Sequence, residues 1–237
     1  MTAYDNVRAQ HRLLAEHFGV TRIQLAIGYS MSGQQAFHWG VHYPDLVQRI
    51  CSICGSAKTA THNWVYLSAL QSVMEAADGW NEGECRMWPP GLLRAVMRIA
   101  MTMLLSQDWY RVEGFKLAGA SSAEEFLIGG EAMLADWTPM DIYHQLSTWM
   151  VADVSANPVF NGDLDEALSA IHARALVMPC DTDMYFRVED NEFEVAKMPN
   201  AELTVIHSMW GHAAGFPGQS PEDDLFVDNV VKEFLAN

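Results

Sequence analysis

The sequence predicts an α/β fold, a mainly parallel sheet flanked by helices and interrupted by a helical cap insertion. Three observations predict it. Short runs rich in β-branched residues alternate with helix-like segments near both ends of the chain. The middle of the chain is helical in character with no convincing strand. Half of the 237 residues are apolar and only 19% are charged, the composition of a packed core.

The elements follow in order. Between residues 5 and 18, Val7, Leu13, Leu14 and Phe18 sit among Arg8, Gln10, Arg12 and Glu16, the pattern of an amphipathic helix closed by Gly19. Residues 23–27 form a short strand-like run ending at Gly28, and beyond Gly33 the chain is helical until Pro44, so this region reads as strand, tight turn, helix. Residues 47–53, with Gly55 after them, read as the next strand of a parallel sheet covered on both faces. From residue 63 to about 150 come helical stretches rich in Met, Trp and Leu, broken at Pro89-Pro90, Gly129-Gly130 and Pro139. Strand signals return at residues 175–178 and 203–206, separated by an acidic loop and a helix around residues 189–197. Pro221-Glu222-Asp223-Asp224 opens a last helix, with Leu225, Phe226, Val230 and Phe234 on one face. The predicted organisation is a core of residues 1–57 and 160–237, with residues 58–159 as a cap.

Charge and cysteine content bound the function. The formal charge of −16 argues against nucleic acid or an anionic membrane as partner, since both demand basic surface. Cys51, Cys54, Cys85 and Cys180 are too few and too unevenly placed for a disulfide framework, so free thiols in a reducing compartment are expected. Cys51 and Cys54 form a CxxC, but it lies in an apolar run with no second pair to complete a zinc site. No basic start leads into an apolar leader and no run is long enough to span a bilayer, which makes a cytoplasmic location the expectation.

The chemistry concentrates at three places. Gly28-Tyr29-Ser30-Met31-Ser32-Gly33 stands where a strand turns directly into a helix, the setting in which a nucleophilic serine is held in a strained elbow. The Met31 N–H, next after Ser30, points where an oxyanion would form at the helix N-terminus. Pro179-Cys180-Asp181-Thr182-Asp183 follows one late strand and Trp210-Gly211-His212 the last, so both side chains emerge at the C-terminal edge of the sheet. Ser30 is then the nucleophile, Asp183 the orienting acid and His212 the base, with Asp181 as rival acid and His207 as a weaker rival base.

With these residues in place the chain resembles the homoserine O-acetyltransferase branch of the α/β-hydrolase superfamily. The likeness runs through residues 4–10, Gly28-Tyr29-Ser30-Met31, Gln34-Gln35-Ala36, Tyr43-Pro44-Asp45, Gly55-Ser56-Ala57-Lys58, Thr182-Asp183-Met184-Tyr185 and Gly211-His212. It implies a partial α/β-hydrolase fold, the same nucleophile, acid and base, a helical lid and a homodimer. Family transferases carry Asp directly after the histidine and Arg where Lys58 stands, whereas this chain has Ala213 and Lys58. Lys58 and Tyr29 are the candidate substrate-binding residues. Several strands precede the nucleophile strand in the family fold, including the loop that donates a second oxyanion N–H. None precedes it here, so self-association along an open edge, or a weak or inactive enzyme, is expected.

The function expected is serine-dependent hydrolysis of a small carboxylic ester through an acyl-enzyme, with no metal and no organic cofactor. The alternative is O-acyl transfer from an acyl-CoA to a hydroxyl acceptor such as homoserine. A second alternative is an inert relative that persists as an oligomerising or binding module. The expected partners are a small-molecule ester or acyl donor and a second copy of the chain.

Overall fold

The protein was analysed as a computed structural model, which describes residues 1–81, 83–85, 88–89, 91–134 and 136–236. The chain opens with α1 (Ala3–Arg12), capped by Thr2 and Asp5 in a reciprocal capping box and continued by a π-helical turn over Leu13–His17. Then come β1 (Ala26–Tyr29), α2 (Met31–His42), β2 (Arg49–Ile53), α3 (Thr61–Glu75) and a hairpin of β3 (Trp80–Asn81) and β4 (Glu84–Cys85). The helices α4 (Leu92–Leu104), α5 (Gln107–Arg111), α6 (Ala123–Ala132), α7 (Pro139–Met150) and α8 (Leu164–Ser169) follow. The chain finishes with β5 (Arg174–Met178), α9 (Val188–Val195), β6 (Ala201–Leu203) and α10 (Pro221–Ala236).

The main sheet is parallel with strand order β1-β2-β5-β6, so β1 is an edge strand. Side chains alternate between its faces as the pleat requires. Ile50, Ala175 and Val177 join Val7, Phe37, Trp39, Leu168 and Ile171 beneath α1, α2 and α8. Cys51, Ile53, Leu176 and Met178 join Ile206 and Phe234 beneath α10. Both faces of β2 and β5 are therefore covered, which is why these two central strands are mainly apolar. Cys51, Cys54 and Cys180 are buried free thiols; the Cys85 side chain falls outside the described residues.

The crossover from β2 to β5 leaves and re-enters the core at one place. Thr59 N donates to the Ala152 carbonyl and Val154 N to the Ala57 carbonyl, and the Lys58 ammonium meets Asp153 at 2.8 Å. Beyond these stems α3 packs against α7 and α4 against α6, around Leu67, Leu70, Met74, Val96, Leu146 and Trp149. Tyr185 and Phe186, from the loop after β5, insert into this cluster and couple it to the sheet edge.

The structure departs from the sequence-based expectations in detail. The β3–β4 hairpin corrects the expectation of no strand between residues 63 and 150; each strand is two residues long, too short to leave a period-2 pattern. The strand expected at residues 23–27 forms over Ala26–Tyr29, with Ile23 pairing alone against Val47. That expected at residues 203–206 forms over Ala201–Leu203, with Ile206 bridging Cys180 beyond it. Among the described residues no helix is long and apolar enough to cross a membrane.

Candidate active site

Ser30 sits between β1 and α2 with φ 58° and ψ −125°, a left-handed backbone that a non-glycine residue holds only under constraint. The constraint is visible. Ser30 N donates to the Ile53 carbonyl on β2 and its own carbonyl accepts from Gln34 N in the first turn of α2. The turn is tight enough that a Cβ on Gly28 would lie 2.2 Å from the Ser32 carbonyl carbon. One on Gly55 would lie 3.0 Å from the Ser30 carbonyl oxygen. Small residues at 28, 33 and 55 thus let the helix and the turn after β2 close around the serine.

Ser30 Oγ is 2.9 Å from His212 Nε2, and His212 Nδ1 is 2.7 Å from Asp183 Oδ2. The other Asp183 oxygen accepts from the backbone N–H groups of Tyr185 and Phe186 at 2.7 and 3.2 Å. Both oxygens of this carboxylate are thus engaged, which fixes its orientation toward the imidazole. Asp183 is 6% and His212 3% exposed, so the pair works out of bulk water, where such hydrogen bonds are strongest. The imidazole is boxed by Tyr29, Tyr185 and Phe186, whose ring centres lie 4.8, 4.9 and 5.5 Å away. Tyr29 also donates its hydroxyl to the His212 carbonyl at 3.0 Å. Burial pushes the phenols of Tyr29 and Tyr185 well up, so both remain neutral beside the histidine. His212 is the second residue of a short 3₁₀ turn over Gly211–Gly215, and the φ of 60° at Gly211 lets the chain bend there.

The remaining sequence-based candidates are distributed as follows. Met31 is the first residue of α2, where a backbone N–H has no intrahelical acceptor and is free to meet an oxyanion. Asp181 and His207, the rival acid and base, pair with each other at 2.8 Å on the surface and touch neither Ser30 nor His212. Lys58 is taken up by Asp153 and is absent from the described lining of the cavity over Ser30. Substrate contact by Lys58 is therefore not what this geometry offers: the ammonium serves the base of the crossover. Tyr185 escaped the sequence reading as a site residue, although it stands two positions after Asp183.

The cavity over Ser30 and His212 has a volume of about 640 Å³. Tyr29 and Tyr185 line it together with residues of α4, α6 and the turn after α4. Cys54, Asp183 and His212 bring possible ligand atoms within 4.8 Å of one another. Burial pushes the Cys54 thiol well up and Asp183 and His212 are already bonded together, so the three make a poor metal site. Beneath the elbow, α9 contributes a buried support. Glu194 accepts from Ala57 N and from Asn191 Nδ2, both at 2.8 Å, and Asn191 Nδ2 also donates to the Gly55 carbonyl at 2.9 Å.

The chain is similar to proteins of known description along its whole length. No family model matches it. It is 33% identical over 215 residues to a probable esterase of Corynebacterium glutamicum, covering 90% of this chain and 61% of that protein. It is 33% identical over 239 residues to an ethyl acetate hydrolase of Pseudomonas veronii, covering 98% and 67%. Against a homoserine O-acetyltransferase of Chloroherpeton thalassium the identity is 28% over 217 residues, covering 89% and 56%. A crystal structure of an acetylester hydrolase from Corynebacterium glutamicum superposes with a TM-score of 0.93 at 30% identity, covering all of this chain and 68% of that one. The chain thus spans 56% to 68% of the length of these relatives.

Proposed function

Because the chain belongs to the α/β-hydrolase superfamily, we propose that it performs serine-dependent acyl chemistry and that its reaction is hydrolysis of a small carboxylic ester. The observation that carries this reading is the continuous hydrogen-bonded line Ser30 Oγ, His212 Nε2, His212 Nδ1, Asp183 Oδ2.

In the proposed cycle His212 Nε2 takes the Ser30 proton as Oγ attacks the ester carbonyl carbon. The C–O double bond opens to an oxyanion that accepts from the Met31 N–H. Collapse expels the alcohol oxygen, which leaves with the proton from His212, and Ser30 carries the acyl group. Water, deprotonated by the same nitrogen, repeats the addition and releases the acid. Asp183 keeps Nδ1–H pointed at itself and so leaves Nε2 free to act as base.

Hydrolysis is preferred to O-acyl transfer for a specific reason. A coenzyme A phosphate or a homoserine carboxylate calls for a cation, yet among the described cavity-lining residues there is no Lys or Arg. Lys58 is engaged by Asp153, and Ala213 follows the histidine where family transferases carry Asp. The preassembled hydrogen-bond line likewise supports an active enzyme over an inert module. The reading includes association of two copies along the β1 edge, and buried free thiols support a reducing, cytoplasmic setting.

The test is p-nitrophenyl acetate hydrolysis by the chain and by Ser30→Ala and His212→Ala. Each substitution is expected to lower kcat by at least about 10⁴-fold, and a fluorophosphonate should label the unaltered chain at Ser30 alone. Equal background rates in all three proteins would sink the reading.

A further inference from the structure

The cavity is much larger than the bond it serves. At about 640 Å³ it lies in the range that encloses a drug-sized ligand, whereas ethyl acetate has two short arms. Its far wall is a slot between α4 and α6, with Met97 and Met101 on one side and Phe126, Gly129 and Gly130 on the other. The two glycines do different things. A Cβ on Gly130 would stand 2.4 Å from Met101 Cε, so Gly130 lets the helices approach; a Cβ on Gly129 would find nothing within 4 Å. Gly129 is itself exposed, so the open space at its Cβ position lies at the outer rim of the cavity, while buried Gly130 holds the wall together. Methionine side chains are unbranched and adapt to a flexible guest. Glu125, the one carboxylate among the described lining residues, is already bound by Ser121.

Resting on the ester-hydrolysis reading, we propose that the preferred substrates carry one unbranched apolar arm of about six to ten carbons, laid in the α4–α6 slot, with Gly129 setting its length. Each methylene removed from water there raises kcat/KM roughly fourfold until the slot is filled.

Two ester series test this: p-nitrophenyl acetate against p-nitrophenyl octanoate, which lengthens the acyl arm, and ethyl acetate against octyl acetate, which lengthens the alcohol arm. In one series the eight-carbon ester is expected to exceed its two-carbon counterpart by at least about tenfold in kcat/KM, and that series identifies the arm. Gly129→Leu should cut the ratio by about tenfold or more, because the isobutyl group obstructs the outer end of the slot; leucine also suits a helix better than glycine, so the fold is kept. Short esters preferred in both series, or a ratio unmoved in Gly129→Leu, overturns the proposal. Failure of hydrolysis itself reads differently. Trp149 and Trp210 line the cavity, so their fluorescence in Ser30→Ala should saturate with added ethyl octanoate even without turnover, and should respond far less in the Ser30→Ala/Gly129→Leu double variant. Equal response in both overturns the slot independently of catalysis.

Discussion

Of two neighbouring carboxylates, Asp183 is the one that bonds the His212 imidazole. Asp183 and Asp181 are two residues apart, but a bend in the loop sends Asp183 inward to His212 and Asp181 outward to His207. Asp183→Asn should therefore drop kcat by about 10⁴-fold with little change in KM, the size of effect that follows when the imidazole is held in the wrong tautomer. Asp181→Asn should leave the rate near that of the unaltered chain. Steady-state kinetics of the two variants checks both, and the reverse ranking would reassign the acid. That Ser30, Asp183 and His212 could stand near one another was foreseeable because each follows a strand-like run, beside a glycine or in an acidic turn. Lys58 was not legible as a structural residue. Its partner Asp153 lies far along the chain, and no local pattern announces an ion pair made by the closure of a long crossover.

The turn after β2 and helix α9 act together as a support for the elbow. Glu194 is the ionisable member, buried with its two donors, and burial pushes its carboxyl up to about 8 from an ordinary 4.5. Between those values the folded chain keeps a proton that the unfolded chain has released, so stability falls as pH rises from about 5 to 8. Glu194→Gln has no such proton to lose. Urea midpoints at the two ends of this range should decline in the unaltered chain and decline less in the variant; parallel declines would place the slope in another group. The supporting role was invisible in sequence, where Glu194 reads as one more acid on a charged helix. The parallel strands were visible because burial on both faces keeps them apolar. Their ends were not, because isolated bridges such as Ile23 to Val47 and Cys180 to Ile206 continue the pairing past the regular ladder.

At the scale of the sheet, β1 is an edge strand among the described residues, with Ile27 49% exposed on it. Such an edge recruits another strand unless charge protects it. Sedimentation or light scattering should show a mass that rises with concentration, and Ile27→Lys should return the chain to monomer; a constant monomer mass for the unaltered chain would rule out association through this edge. The fold class was readable at this scale from the alternation of runs, whereas the path of the crossover was not, since helical periodicity says which segments coil and not where they return. That path carries a kinetic consequence. β2 and β5 must find each other across more than a hundred residues, a costly search for an open chain. Once Thr59 and Val154 have formed their backbone bonds to Ala152 and Ala57, the loop still to be closed shrinks to a few tens of residues, which lowers the entropic barrier to docking β5 by on the order of 1 kcal/mol. The pinched base of the crossover thus acts as a zipper stop: the helices beyond it can form on their own schedule while the sheet completes as though they were absent.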